Sequence, residues 1–248
     1  MTPEKVCKEP LADEASWPII STKRLDETRL QLVDAQTPGL RRTPGQKDAE
    51  ATREALLAAA TELFAELGFD GATVDAIAVR ASVNKAMINY HFEGKQGLYT
   101  AILKRDFGWA LTRLSELSIE PVRADAKLAR FVAIFGELHQ RRPGLSAMML
   151  REAMSGGRGL DPALLPYMRR IFEAVQSIVA QGVAEGTFRE VDPLFMHHTV
   201  IGCLAFFFAA KPLRDRMIAE GVVPVAPPDP QKFVTHIQEL LARGLARE

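Results

Sequence analysis

Between Lys85 and His91, side chains of several hydrogen-bonding types surround one apolar residue, Ile88. Lys85 is a cation, Asn89 carries an amide able to pair bidentately with adenine, Met87 offers an apolar contact for a thymine methyl, and Tyr90 and His91 add a phenol and an imidazole. This is the mixture with which a helix reads base edges in a DNA major groove. The reading requires Ile88 to face inward on a short helix running to about Tyr90 or Phe92, with Asn84 as its cap.

The preceding residues supply a support for such a helix. Val74, Ile77 and Ala78 mark the inner face of a first short helix, for which Thr73 is the expected N-cap and Asp75 complements the dipole. Ala81-Ser82-Val83 is the tight turn between the two, so the pair reads as a helix-turn-helix. Upstream, Leu56, Ala60, Leu63, Phe64 and Leu67 form one apolar stripe on a helix from about Asp48 to Leu67. Gly68 stops it and Asp70-Gly71 forms a turn. Downstream, Gly94-Lys95 begins a long helix to about Leu117, with Leu98, Ile102, Leu114 and Leu117 buried. Lys95 stands at its start, where unpaired backbone N–H groups favour an anion.

The stretch Leu56 to Leu103 resembles the N-terminal DNA-binding domain of the TetR family of transcriptional regulators. Three blocks carry the resemblance in order: Glu66-Leu67-Gly68-Phe69, then Thr73-Val74-Asp75-Ala76-Ile77-Ala78, then Tyr90-His91-Phe92 followed by Lys95 and Leu98-Tyr99. At Asn89 the family more often carries an aromatic residue, so the base preference here is this chain's own. The resemblance implies an all-α protein with a three-helix helix-turn-helix head and a C-terminal helical domain for ligand binding and dimerisation. The DNA-contacting set is then Thr73, Asn84, Lys85, Met87, Asn89, Tyr90 and His91, with Lys95 on a phosphate.

Composition neither helps nor opposes this. The 248 residues carry 31 basic and 31 acidic side chains, so a DNA-binding face must come from arrangement and not from bulk charge. Cys7 and Cys203 have no disulfide or metal spacing, which fits a reducing cytoplasm. No apolar h-region opens the chain, and the run Val200 to Ala210 falls short of the ~20 residues of a membrane span, so no membrane partner is expected. The histidines His139, His197 and His198 lack metal-ligand spacing. The sequence contains no HExxH, CxxC or GxSxG and no phosphate loop, so neither an enzyme nor a cofactor is expected. The alternative is a small helical enzyme or ligand-binding protein with the head as an interaction module.

Three regions follow from this reading: a flexible extension over residues 1–45, the head over 46–94, and a ligand-binding and dimerisation body over 95–248. The extension is broken by prolines and ends in the basic run Arg41 to Lys47, which reads either as a minor-groove arm or as a solvated linker. In the body, Asp161-Pro162 and Asp192-Pro193 read as helix starts. The string from Gly182 to Arg189 resembles the corresponding region of many TetR-type regulators. The helix from Pro193 is apolar nearly all round, and the last helix carries Phe233, Ile237, Leu240, Leu241, Gly244 and Leu245 on one stripe. These two helices are expected to pair with their copies into a four-helix bundle, giving a homodimer suited to a near-palindromic operator. A pocket for a small apolar or aromatic effector is expected among Phe107, Phe131, Phe135, Met148, Met149, Met168, Phe172, His197 and Phe206. A buried histidine or the Arg151/Glu152 pair would serve as its polar anchor.

Overall fold

The computed structural model describes residues 44–247, with side chains from Asp48 onward. The extension expected over residues 1–45 lies outside the described residues apart from Pro44 and Gly45, which begin the first helix together with Gln46 and Lys47 of the basic run. The described residues form ten α-helices: α1 (Pro44–Gly71), α2 (Val74–Ala81), α3 (Ala86–Phe92), α4 (Lys95–Ile119), α5 (Ala124–Arg141), α6 (Pro143–Ser155), α7 (Leu165–Ala184), α8 (Pro193–Ala209), α9 (Lys211–Ala219) and α10 (Pro230–Leu245). The fold is all-α; an isolated bridge joins Phe188 to Ala246.

The helix starts follow from one local device used repeatedly. Asp161, Asp192 and Asp229 each precede a proline, and each carboxylate accepts the N–H two residues on, at 2.7, 2.7 and 2.8 Å. The proline gives up an N–H that the first turn leaves unpaired in any case, and the aspartate satisfies the next one. After Asp161 the chain first makes a 3-10 turn, Pro162–Leu164, before α7 proper.

In α1, Leu56, Leu57, Ala60, Leu63 and Phe64 are buried as the periodicity requires. Leu67 departs from the expected stripe and is 51% exposed. The cause is Gly68, whose φ of 76° breaks the helical path and turns Phe69 inward instead. The Phe69 ring stacks on Phe64 at 5.9 Å and meets Tyr99 edge-on at 5.2 Å.

α4 is the axis of the described structure. Leu98, Tyr99, Ile102 and Leu103 near its start share a core with α1, α2 and α3, while Phe107, Ala110, Leu111, Leu114 and Leu117 continue that core into the body. α8 packs against α5, α6 and α7, and α10 lies along α5. The approach of α10 depends on Gly136, where a Cβ would overlap the Val234 side chain. α8 buries Met196, Val200, Leu204 and Ala205 but leaves Phe195 and Phe206 each 67% exposed. No single helix among the described residues is long and apolar enough to cross a membrane; α8 and α9 reach that length only together, across a 50° bend.

Candidate functional site

The helix-turn-helix is held by caps at each of its ends. Thr73 Oγ1 accepts the Ala76 N–H at 3.1 Å and starts α2. Ser82 closes α2 with a φ of 56°, and the N–H groups of Ser82 and Val83 return to Val79 and Ala78, both at 3.0 Å. Asn84 Oδ1 accepts the Ala86 N–H at 2.8 Å, so Asn84 caps α3. Glu93, with a φ of 59°, closes α3 at its other end. A seven-residue helix is too short to persist by propensity alone, and these closures with two buried side chains, Ile88 and Phe92, are what hold it.

With those two residues inward, α3 and its cap present Lys85, Asn89 and Tyr90 to solvent, Tyr90 at 76% exposure. Met87 and His91 flank them half-buried, and the His91 ring meets Tyr90 edge-on at 4.9 Å. Thr73 and Asn84 are exposed but spend a side-chain oxygen on capping. Lys85 pairs with Asp75 at 3.1 Å in the open, an ion pair worth little in water and easily exchanged for a phosphate. Arg80 is committed elsewhere: Glu66 and then Glu62 hold it, raising its pKa.

Lys95 occupies a place that its type alone does not disclose. Its Nζ donates to the carbonyls of Phe69 and Ala72 at 2.9 and 3.1 Å, and it stands 4.5 Å from the centre of the Phe69 ring. An ammonium has three N–H donors, and two of them tie α4 to the chain at the end of α1. The same joint is reinforced from the body. Arg151 donates to the Glu66 carbonyl at 2.9 Å, and buried Glu152 accepts from Tyr99 OH at 2.8 Å and from the Gly159 N–H at 3.1 Å. Burial first, and then the Glu152 carboxylate, push the Tyr99 hydroxyl pKa far up. The Arg151/Glu152 pair, expected as an effector anchor, is thus occupied at the head–body joint. Gly159 fits there because a Cβ would overlap the Glu152 carboxylate.

The expected pocket residues divide. Phe107, Phe131, Phe135 and Met148 are buried, Met149 and Met168 are half-buried against the same core, and Phe172 and His197 are half-buried. Phe131 and Phe135 lie 4.8 Å apart, and Phe172 meets His197 edge-on at 5.7 Å. Phe206 does not belong with them: at 67% exposure it stands on the outer face of α8, because the helix turns Val200 and Leu204 inward. Two cavities lie away from this cluster. One of about 30 Å³ is lined by residues including Leu128, Phe188 and Leu241; the other, of about 250 Å³, is a charged groove between α4 and α5.

A buried histidine, the other anchor expected from the sequence, is present on α5, though the sequence reading specifies neither its number nor its serine partner. His139, 4% exposed on α5, shares a 2.7 Å hydrogen bond through Nδ1 with Ser146 of α6, and Phe208 stacks on its ring at 5.5 Å. Burial pushes its pKa down to about 4. Its position one turn beyond Phe135, on the line Phe131–Phe135–His139, was the available signal. Asp106, 1% exposed, accepts from Arg105 and Arg142 at 3.1 and 3.0 Å. Burial nevertheless outweighs the two cations and raises its pKa. No group of three His, Cys, Asp or Glu residues among the described residues is placed to hold a metal.

Two family models match this chain. Residues 56–102 match the one described as bacterial regulatory proteins, tetR family, and residues 124–222 match a tetracyclin repressor-like C-terminal domain. Among curated relatives, the chain is 25% identical over 213 residues to the HTH-type transcriptional repressor NicS of Pseudomonas putida, covering 81% of this chain and 95% of that one. It is 26% identical over 159 residues to the HTH-type transcriptional regulator RutR of Escherichia coli, covering 63% of this chain and 74% of the other. Among solved structures, the fatty acid degradation regulator FadR from Bacillus halodurans superposes with a TM-score of 0.60 at 17% identity, over 82% of this chain and 97% of that one. At that identity the likeness concerns the fold alone.

Proposed function

From the premise that this chain belongs to the TetR family and is a sequence-specific DNA-binding transcriptional regulator, we propose that it is a homodimeric repressor which a small ligand releases from its operator. The observation that carries the reading is the outward face of α3. With Ile88 and Phe92 buried, Lys85, Asn89 and Tyr90 are displayed together on a helix fixed at both ends. Asn89 is assigned a bidentate contact to adenine, Tyr90, Met87 and His91 the flanking base and sugar contacts, and Thr73, Asn84, Lys85 and the third Lys95 N–H the phosphates.

Family members act as dimers on operator DNA. In this chain we assign the interface to α8 and α10. Phe195, Gly202 and Phe206 form one exposed stripe on α8, and Leu240 and Gly244 are exposed on α10. Two heads about 34 Å apart then enter successive major grooves of a near-palindromic site. We divide the chain accordingly into a head over residues 46–94 and a body over 95–248. NicS is a transcriptional repressor, and an apolar or aromatic effector suits the phenylalanines and methionines between α5, α6, α7 and α8. Such a ligand acts only through its different affinity for the two head separations. The test is selection of genomic fragments on the purified protein, followed by titration at two salt concentrations. A near-palindrome bound with a steep salt dependence is expected. Failure to enrich any site would overturn the reading.

A further inference from the structure

The inner face of α8 forms an apolar seam against α5, α6 and α7, and an imidazole nitrogen lacks a partner at each end of it. His197, Ile201, Leu204 and Phe208 follow one another on this face at helical spacing, so the seam is about 16 Å long from His197 to Phe208. At the Phe208 end, His139 bonds Ser146 through Nδ1 while its buried Nε2 has no hydrogen-bond partner among the described residues. At the other end, the buried Nδ1 of His197 is likewise unpaired. Buried polar atoms without partners are rare in folded proteins, and each calls for an explanation. Of the four such side-chain atoms among the described residues, these two fall on the α8 interface; the others are Arg214 Nε and Asp106 Oδ2.

Resting on the repressor reading above, we propose that the His139–Ser146 pair is the polar anchor of the effector site, and that the effector is an uncharged molecule with an apolar body and a hydrogen-bonding end. Ser146 can donate to Nδ1 or accept from it, so Nε2 presents a proton or a lone pair to the ligand according to the tautomer. One cation, Arg214 of α9, lies near the Phe208 end of the seam with a buried and unpaired Nε, but its Nη1 already donates to the Phe207 carbonyl at 2.8 Å and its guanidinium covers the Phe207 ring. The nearest cation along α5 beyond His139 is Arg141, whose guanidinium pairs with Glu137 outside, and Arg142 is held by Asp106 at 3.0 Å. The carboxylate of Glu152 is engaged by Tyr99 and Gly159. An anion entering the seam would lose its hydration and could gain a partner only by drawing Arg214 away from Phe207. The apolar middle of the ligand replaces contacts now made by Phe208 and the half-buried Met149, side chains able to repack.

The experiment titrates the full-length protein at neutral pH with 4-fluorophenol, fluorobenzene and 4-fluorobenzoate, followed by fluorine NMR. Saturable binding of the phenol is expected, roughly tenfold tighter than fluorobenzene, the worth of about one hydrogen bond, with no saturable binding of the benzoate. His139→Phe should reduce the phenol to the level of fluorobenzene. In the unaltered protein, the nitrogen resonances of the His139 imidazole should move on addition of the phenol, a readout that needs no variant to fold. Equal binding of phenol and fluorobenzene, saturable binding of the benzoate, or absence of phenol binding would each overturn the proposal. Release of operator DNA is measured separately. His139-dependent phenol binding without release would uphold the anchor and count against the gating.

Discussion

The head and the α8 side of the body both expose a helix face, yet the two faces are made by opposite means. α3 is seven residues long, buries two side chains, and is held by polar closures at Asn84 and Glu93; its outer face is amide, ammonium and phenol. α8 is 17 residues long, is held by apolar packing against three neighbours, and shows solvent phenylalanines around a glycine. A polar face on a precisely clamped short helix suits a partner that is read by hydrogen bonds. An apolar face on a long helix suits a partner of its own kind, because exposed apolar area is worth about 25 cal/mol per Å² only when something covers it.

The strongest way to break this comparison is to put a charge on the α8 face. Phe206→Asp combined with Phe195→Asp should give a folded monomer by sedimentation and lose about a hundredfold or more in operator affinity, since a lone head forfeits the effective concentration of the linked pair. A dimer that survives both substitutions would move the interface elsewhere. These substitutions test the interface more cleanly than removal of α10. Val234, Ile237, Leu241 and Leu245 of that helix are buried in their own protomer, so truncation before Pro230 strips the core and should aggregate.

A second difference concerns protons. The body holds His139 neutral, with its pKa depressed from 6.5 to about 4. A histidine whose folded pKa is depressed contributes stability that is present above the unfolded pKa. That stability is lost as pH falls from about 6.5 towards 4, where the unfolded chain binds a proton that the folded one refuses. Thermal or urea unfolding should therefore show a loss of roughly 2–4 kcal/mol across that window, and His139→Phe should flatten this part of the profile. An unchanged slope in the variant would place the acid sensitivity in another group.

Smaller again is the effect expected at the head's clamp. Lys95→Ala removes two hydrogen bonds between α4 and the end of α1, so it should cost about 1–3 kcal/mol of stability. It should also lower affinity for all sequences nearly equally and flatten the salt slope by about one unit. Lys95→Met keeps the stem over the Phe69 ring and should recover part of the stability but none of the salt slope. If both variants melt as the parent does, the clamp is idle in solution.

The legible parts of the molecule were those written in local chemistry. The caps at Thr73 and Asn84, the inward Ile88 and the Asp-Pro starts of the body can be read from neighbouring residues, because the interactions span two to four positions. What was hidden depends on partners far along the chain. The carbonyls that hold Lys95 lie 26 and 23 residues away, and Glu152 meets Tyr99 across 53. Spacing alone could not separate Phe206 from Phe208 either: two residues apart on an apolar helix, one faces out and the other stacks on His139. Leu67 failed for a similar reason, since a periodic stripe assumes a straight helix and Gly68 bends this one.

The central claim, that α3 reads the operator once from each subunit, is tested most directly by repeating the fragment selection with Asn89→Ala beside the unaltered protein. The account predicts that the variant still enriches the same near-palindrome but loses discrimination at one or two base pairs in each half-site. The two losses should be related by the site's two-fold axis and worth about 1–3 kcal/mol apiece. Base preferences identical for the two proteins, or a loss confined to one half-site, would contradict it.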